Sequence, residues 1–214
     1  MARIKNGILG GIQGNIGNVE GYIRNGVACV RARKRKSKKK RTPAQLRQQQ
    51  RMKLVNSMLS TMTEFIRVGF TPFTKKSNLT ANNAAKSYQL LNAVGGEYPE
   101  QHMDYSAVLL AHGKMDLPLA PVCTLVANGI EVSWQLDAAA NYQNRMAQAM
   151  ILVYSAELKK SFYTLSGARR TRGSDFLELP PKVIGKEIQV YLAFTSEDRT
   201  KVSNSSYLGA FVYQ

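Results

Sequence analysis

Nine of the eleven residues from Arg31 to Arg41 are Lys or Arg, the exceptions being Ala32 and Ser37. The chemistry open to such a run is electrostatic. Cations at this density cannot be buried together and repel one another, so the segment stays extended until a polyanion displaces its counterions and orders it. Arg31, Arg33, Lys34, Arg35, Lys36, Lys38, Lys39, Lys40 and Arg41 are therefore the candidate phosphate contacts, continued by Arg47 and Arg51 on the segment that follows. Lys dominates and no base-reading motif accompanies it, so contact with DNA or RNA is expected to be independent of sequence. An acidic macromolecule would satisfy the same charges.

The charge is segregated along the chain. Residues 1–76 hold 18 of the 30 basic residues against Glu20 and Glu64 alone, whereas residues 77–214 hold 12 basic and 12 acidic residues. The whole net charge of +16 thus belongs to the first third of the protein. A smaller cluster, Arg169, Arg170 and Arg172, falls in a turn between two β-like runs and reads as a solvated loop tip, with an extension of a phosphate-binding surface as the alternative.

No other constellation points to catalysis, and no enzyme activity or cofactor is expected. His102 and His112 stand ten residues apart with no carboxylate at metal-ligand spacing, so both read as loop or surface residues and no metal site is expected. There is no GxSxG, no GxxxxGK[ST] and no GxGxxG. The acidic residues Glu97, Glu100 and Asp104, or Glu197 and Asp198, lie in polar turns and are expected to solvate them. Cys29 and Cys123 form neither a CxxC nor a Cys/His cluster and read as ordinary thiols. Tyr88, Tyr98, Tyr105, Tyr142, Tyr154 and Tyr163 are possible stacking platforms for bases, but most sit at apolar-periodic positions and read as core.

Three kinds of element must position the basic run. Ahead of it, glycines at 7, 10, 11, 14, 17, 21 and 26 alternate with Ile, Leu and Val, and Asn25-Gly26 between VEGYI and VACVR predicts a hairpin. A closely packed helix using the three-and-four glycine spacing is the alternative, opposed by the roughly 1 kcal/mol helix cost of each Gly. Behind it, Thr42-Pro43-Ala44-Gln45 has the composition of a capped helix start. Val55, Met58, Leu59, Met62, Phe65 and Ile66 mark the buried face of that helix, and Gly69 is its expected end. A second helix is predicted over about Thr80 to Val94, packing through Ala84, Tyr88, Leu91 and Ala93 and stopped by Gly95-Gly96. The basic run is then a connector held at both ends, not a loose tail.

From Met103 the texture becomes β-like, beginning with DYSAVLLAH and continuing as seven runs after Leu117, with Trp134 a core residue of the second. The fold class read from this is α+β: a basic glycine-rich N-terminal hairpin (1–41), a helical segment (42–102), then an antiparallel β-sandwich domain (103–214) of immunoglobulin or fibronectin type III kind. The corner tyrosine of fibronectin type III domains is replaced by Ile188, with Tyr191 farther along the strand. GILGGIQGNIG holds too many glycines and polar residues for a signal sequence, and no 18-residue apolar stretch exists, so no membrane partner and a place in the cytoplasm, or in a particle assembled there, are expected.

The opening GILGGIQGNIGNVEGYIRNG, the Thr42-Pro43-Ala44-Gln45 segment with Arg51, Val68-Gly69-Phe70, the segment from Asp104-Tyr105-Ser106 to Gly113, and SGARR, YLAFTSED and NSSYLG together resemble an uncharacterised family common in Bacteroidota, a domain of unknown function. That resemblance spans nearly the whole chain and implies no activity. The Gly-rich start, the Arg-rich residues and the Thr-Pro-Ala-Gln helix also resemble small proteins of phage structural modules. Two functions are in play: a non-enzymatic, sequence-independent nucleic-acid-binding protein, or a structural or assembly protein, phage-related and able to form homo-oligomers.

Overall fold

The computed structural model describes residues 3–4, 10–24, 26–34, 39–75, 78–136 and 141–213. The chain divides into two compact units, Met1–Thr42 and Pro43–Gln214. Its architecture is mixed α+β with mostly antiparallel sheets.

The first unit is a sheet in the order β1 (Arg3–Ile4), β2 (Ile12–Ile16), β3 (Val19–Arg24) and β4 (Val27–Ala32), antiparallel throughout. Arg24 pairs with Val27, so the expected hairpin forms around a two-residue turn in which Gly26 carries φ 82°; Asn25 lies outside the described residues. The alternative glycine-packed helix is thereby excluded for this segment. Gly21 shows what the glycines do instead: a Cβ there would run into the carbonyl oxygen of Ile12. Register sorts the faces, because side chains alternate along a strand. Val19, Gly21 and Ile23 share one face with Ala32, Val30 and Ala28, while Glu20 and Tyr22 share the other with Arg31 and Cys29. The apolar face is open, with Val19, Ile23 and Val30 each more than 40% exposed.

The second unit starts at Pro43, directly after Thr42. Helix α1 (Pro43–Leu59) runs through a 3₁₀ turn at Ser60–Met62 into α2 (Thr63–Thr74). Ser57, Ser60, Thr61 and Thr63 each donate a hydroxyl to the carbonyl three residues back. Such local bonding competes with the helical ladder and accounts for the break. Val55, Met58, Leu59, Met62, Phe65 and Ile66 are all buried, as their spacing predicts. Gly69 is not the helix end: α2 continues through Pro72 to Thr74. The reason is a close approach, since a Cβ on Gly69 would lie 2.5 Å from the Leu110 carbonyl oxygen and 2.9 Å from Ala111 Cα. The Gly69 carbonyl accepts the His112 N–H at 2.9 Å.

Helix α3 (Ala81–Asn92) is capped by the Thr80 hydroxyl, which accepts the Asn83 N–H at 3.3 Å. Leu91, expected to pack, is 79% exposed, and Gln89 is fully buried in its place. The Gln89 amide binds both backbone groups of Leu109, accepting the N–H and donating to the carbonyl. This bears on a second correction. DYSAVLLAH, expected to be β-like, forms a 3₁₀ turn at Tyr105–Ala107 followed by extended chain outside any ladder. Its buried backbone groups are satisfied singly, by Gln89, by Gly69, by the Ser205 hydroxyl to the Leu110 N–H at 2.8 Å, and by the Ala111 carbonyl accepting the Ser205 N–H at 3.1 Å. Two short strands, β5 (Val94–Gly95) and β6 (His102–Met103), pair with each other.

Seven strands follow: β7 (Leu119–Val126), β8 (Gly129–Gln135), β9 (Gln148–Ser155), β10 (Lys160–Thr164), β11 (Ser174–Glu178), β12 (Glu187–Thr195) and β13 (Ser206–Val212). They form two antiparallel sheets, ordered β11-β8-β7 and β10-β9-β12-β13. The second sheet is buried on both faces. Met150, Leu152, Tyr154, Tyr191 and Ala193 join the buried face of the helices, while Ala149, Ile151, Val153, Val190, Leu192 and Phe194 join Ile130, Val132 and Trp134 of the other sheet. That explains why AMILVY (149–154) and VYLAF (190–194) read as unbroken apolar runs instead of alternating ones.

Candidate functional site

The predicted phosphate contacts occupy different environments. Arg31 is already neutralised: on β4, opposite Glu20, it places Nε 3.0 Å and Nη2 2.9 Å from one carboxylate oxygen, with the guanidinium 5.1 Å above the Tyr22 ring. Arg33 extends the hairpin through its backbone N–H, 2.8 Å from the Asn18 carbonyl, and exposes its side chain. Lys34, Lys39, Lys40 and Arg41 are exposed, whereas Arg35, Lys36 and Lys38 lie outside the described residues. Arg47 is exposed on the first turns of α1, which carry no acidic side chain. Arg51 is half-buried, and its guanidinium donates to the Leu90 carbonyl, so it also ties α1 to the end of α3. Glu20 is the only acidic residue before Glu64, and Arg31 occupies it.

The Arg169–Arg172 turn departs from the expected solvated tip. Arg169 faces Glu197 at 3.7 Å and Arg172 is exposed, but Arg170 is buried at 3% exposure. Its guanidinium donates to the Asp116 carbonyl at 3.0 Å and to the Leu117 carbonyl, and lies 4.8 Å over the Phe194 ring. The Arg170 carbonyl accepts Trp134 Nε1 at 2.8 Å. A cation with this many buried partners is a tertiary clamp. Nothing in the spacing of three arginines marks which one turns inward.

The tyrosines divide similarly. Tyr154 and Tyr191 are buried, with the Tyr191 hydroxyl donating to the Tyr105 carbonyl at 2.8 Å. Burial pushes the Tyr154 phenol up to about 12. Tyr98 and Tyr142 are exposed, outside the core.

The second unit also contains a cleft of about 760 Å³ between the end of α2, the 112–116 segment, the short helix α4 (Tyr142–Arg145) and the loop at Thr200–Val202. His112, read from sequence as a loop or surface residue, lies outside any helix or strand and is half-buried in its wall. Its ring stacks on Phe73 at 4.3 Å between centroids and 21° between planes, with Phe70 and Tyr88 at its edges. Lys75, Lys114 and Lys201 line the same cleft, and Lys201 Nζ donates to Gln143 Oε1 at 2.7 Å. The one carboxylate there, Asp116, accepts from the Asn144 amide. Among the described residues no group of His, Cys, Asp and Glu is placed to hold a metal, and no helix is long and apolar enough to cross a membrane.

These features define an α+β protein that joins a basic, glycine-rich sheet unit to a larger helix-and-sheet unit. Residues 11–209 match the family of unknown function DUF6266, and the chain belongs to that family. A comparison with curated proteins finds no match.

Proposed function

We propose that this protein is a non-enzymatic nucleic-acid-binding protein that holds DNA or RNA through sequence-independent phosphate contacts. One observation carries the reading: the cations from Arg33 to Arg41 fill the chain between β4 and α1, those described (Arg33, Lys34, Lys39, Lys40 and Arg41) are exposed, and Glu20, the one acidic residue in the sequence before Glu64, is engaged by Arg31. A connector held by ordered elements at both ends loses less chain freedom on binding than a free tail. Arg47 extends the same charge onto the first turns of α1, where cations oppose the helix dipole and a binding role offsets the cost.

The two sheets of the second unit read as a fibronectin type III-like sandwich. Their strand orders, three strands as β11-β8-β7 and four as β10-β9-β12-β13, support this, as does the Trp134–Phe194 contact at 5.1 Å between them.

The test replaces Arg33, Lys34, Arg35, Lys36, Lys38, Lys39 and Lys40 with Gln. If 6 to 10 phosphates are engaged, the affinity of the unchanged protein for a random oligonucleotide drops about 10³ to 10⁵ fold between 50 and 200 mM salt. The substituted protein is expected to bind weakly with a shallow salt slope; unchanged retention at moderate salt refutes the reading. The exposed apolar face of the first sheet supports a second reading, an assembly protein that buries Val19, Ile23 and Val30 against a neighbour. Elution as a defined large oligomer free of nucleic acid favours that alternative.

A further inference from the structure

We propose that the cleft beside Phe73 binds a nucleoside monophosphate, with the base on the Phe73 ring and the phosphate on the lysines. The cleft shares no residue with the basic connector, and the inference does not rest on the connector's function. Its volume, about 760 Å³, falls in the range of small-molecule pockets. Lys75, Lys114 and Lys201 line it against the single carboxylate of Asp116, a local excess of two positive charges that matches a phosphate dianion. Among the described residues no ion pair joins any of the three lysines. Asp116 accepts the Asn144 amide and forms no ion pair with the lysines among the described residues.

The aromatic wall selects the rest of the ligand. Phe73 is 53% exposed although it is a large apolar ring in a well-packed unit. It is held flat by stacking on His112, which Phe70 and Tyr88 brace from the side, so one ring face remains available as a rigid platform. A planar base stacks on such a platform, and a bare anion does not. Asn141, Gln143 and Thr200 also line the cleft, and the Asn141 and Gln143 amide N–H groups and the Thr200 hydroxyl oxygen supply partners for a sugar.

The experiment titrates the full chain with AMP, adenosine and inorganic phosphate by calorimetry at low salt. AMP is expected to bind at least about tenfold more tightly than either fragment, since it combines the stacking contact with the charge-assisted hydrogen bonds and each fragment makes only one of the two. Lys114→Gln with Lys201→Gln is expected to weaken AMP at least about tenfold. Phe73→Leu keeps the apolar contact, removes the ring, and is expected to weaken AMP roughly fivefold while leaving phosphate unchanged. Three results overturn the proposal: AMP binding no tighter than phosphate, AMP binding insensitive to the two lysines, or AMP binding abolished in the chain whose connector cations are Gln. Thermal denaturation of each variant separates loss of the site from loss of the fold.

Discussion

Replacing Gly69 with Ala sets helix propensity against packing, and the distances decide the winner. In a helix interior the change favours the folded state by about 1 kcal/mol. Here the added Cβ meets Leu110 O at 2.5 Å, Ala111 Cα at 2.9 Å and Ala111 Cβ at 3.0 Å, so the 110–111 backbone must retreat by a large part of an ångström. That backbone is fixed by the Gly69–His112 bond at 2.9 Å, the Ser205–Leu110 bond at 2.8 Å and the Gln89 amide on Leu109. Overpacking costs about 1–3 kcal/mol and each weakened hydrogen bond about 1 kcal/mol. The net expectation is a loss of about 1–3 kcal/mol, or roughly 2–12 °C in melting temperature for a unit of this size. Urea unfolding followed by Trp134 fluorescence and by far-UV circular dichroism measures it. Trp134 is the only tryptophan and is buried, so its emission reports loss of the core. A Gly69→Ala protein with an unfolding midpoint equal to or above that of the unchanged chain refutes the close-approach explanation of this glycine.

Arg170→Met is expected to lower stability by about 3 kcal/mol in thermal denaturation, because the Asp116 and Leu117 carbonyls lose their donors and Phe194 its cation. Arg170→Lys should restore less than half of that, since a single ammonium does not reproduce the planar fork. The Asp198 carboxyl, held down to about 2 first by the Ser196 hydroxyl and then by the Thr200 N–H and hydroxyl, is expected to titrate at that value by NMR. Its folded value is depressed, so any stabilisation of the Ser196–Lys201 turn is complete above the ordinary carboxyl range and is lost as pH falls from about 4 through about 2. Burial pushes the Cys123 thiol up to about 11. At pH 8 it should alkylate roughly a hundredfold or more slower than a free thiol, and denaturant should erase the difference.

Much of the local structure was legible from residue pattern. Asn25-Gly26 between two apolar runs predicts a hairpin turn because few other pairs tolerate positive φ, and β3 and β4 do pair, with Gly26 at φ 82°. The six apolar residues from Val55 to Ile66 recur with the helical period, and all six are buried. The misreadings share one cause: each involves a residue whose partner is far along the chain. Gly69 resembles a helix stop until Leu110 and Ala111 are placed against it. DYSAVLLAH resembles a strand until its backbone partners prove to be Gln89, Gly69 and Ser205. Leu91 and Gln89 exchange their expected places because a buried amide with two backbone bonds is no longer a polar residue needing water.

The candidate sites divide along the same line. Charge is additive along a chain, so the sequence alone determined that all +16 net charge lies before residue 77 and that Arg31 to Arg41 carries its densest part. It had no means of telling one arginine from another. Tertiary structure decided that Arg31 is spent on Glu20, that Arg51 reaches the Leu90 carbonyl, and that Arg170 enters the core. It also brought Phe73, His112 and Lys201 to one cleft, across sequence separations for which no short-range pattern exists. Periodicity and charge depend on neighbours in the chain, whereas hydrogen-bond satisfaction and close packing depend on neighbours in space.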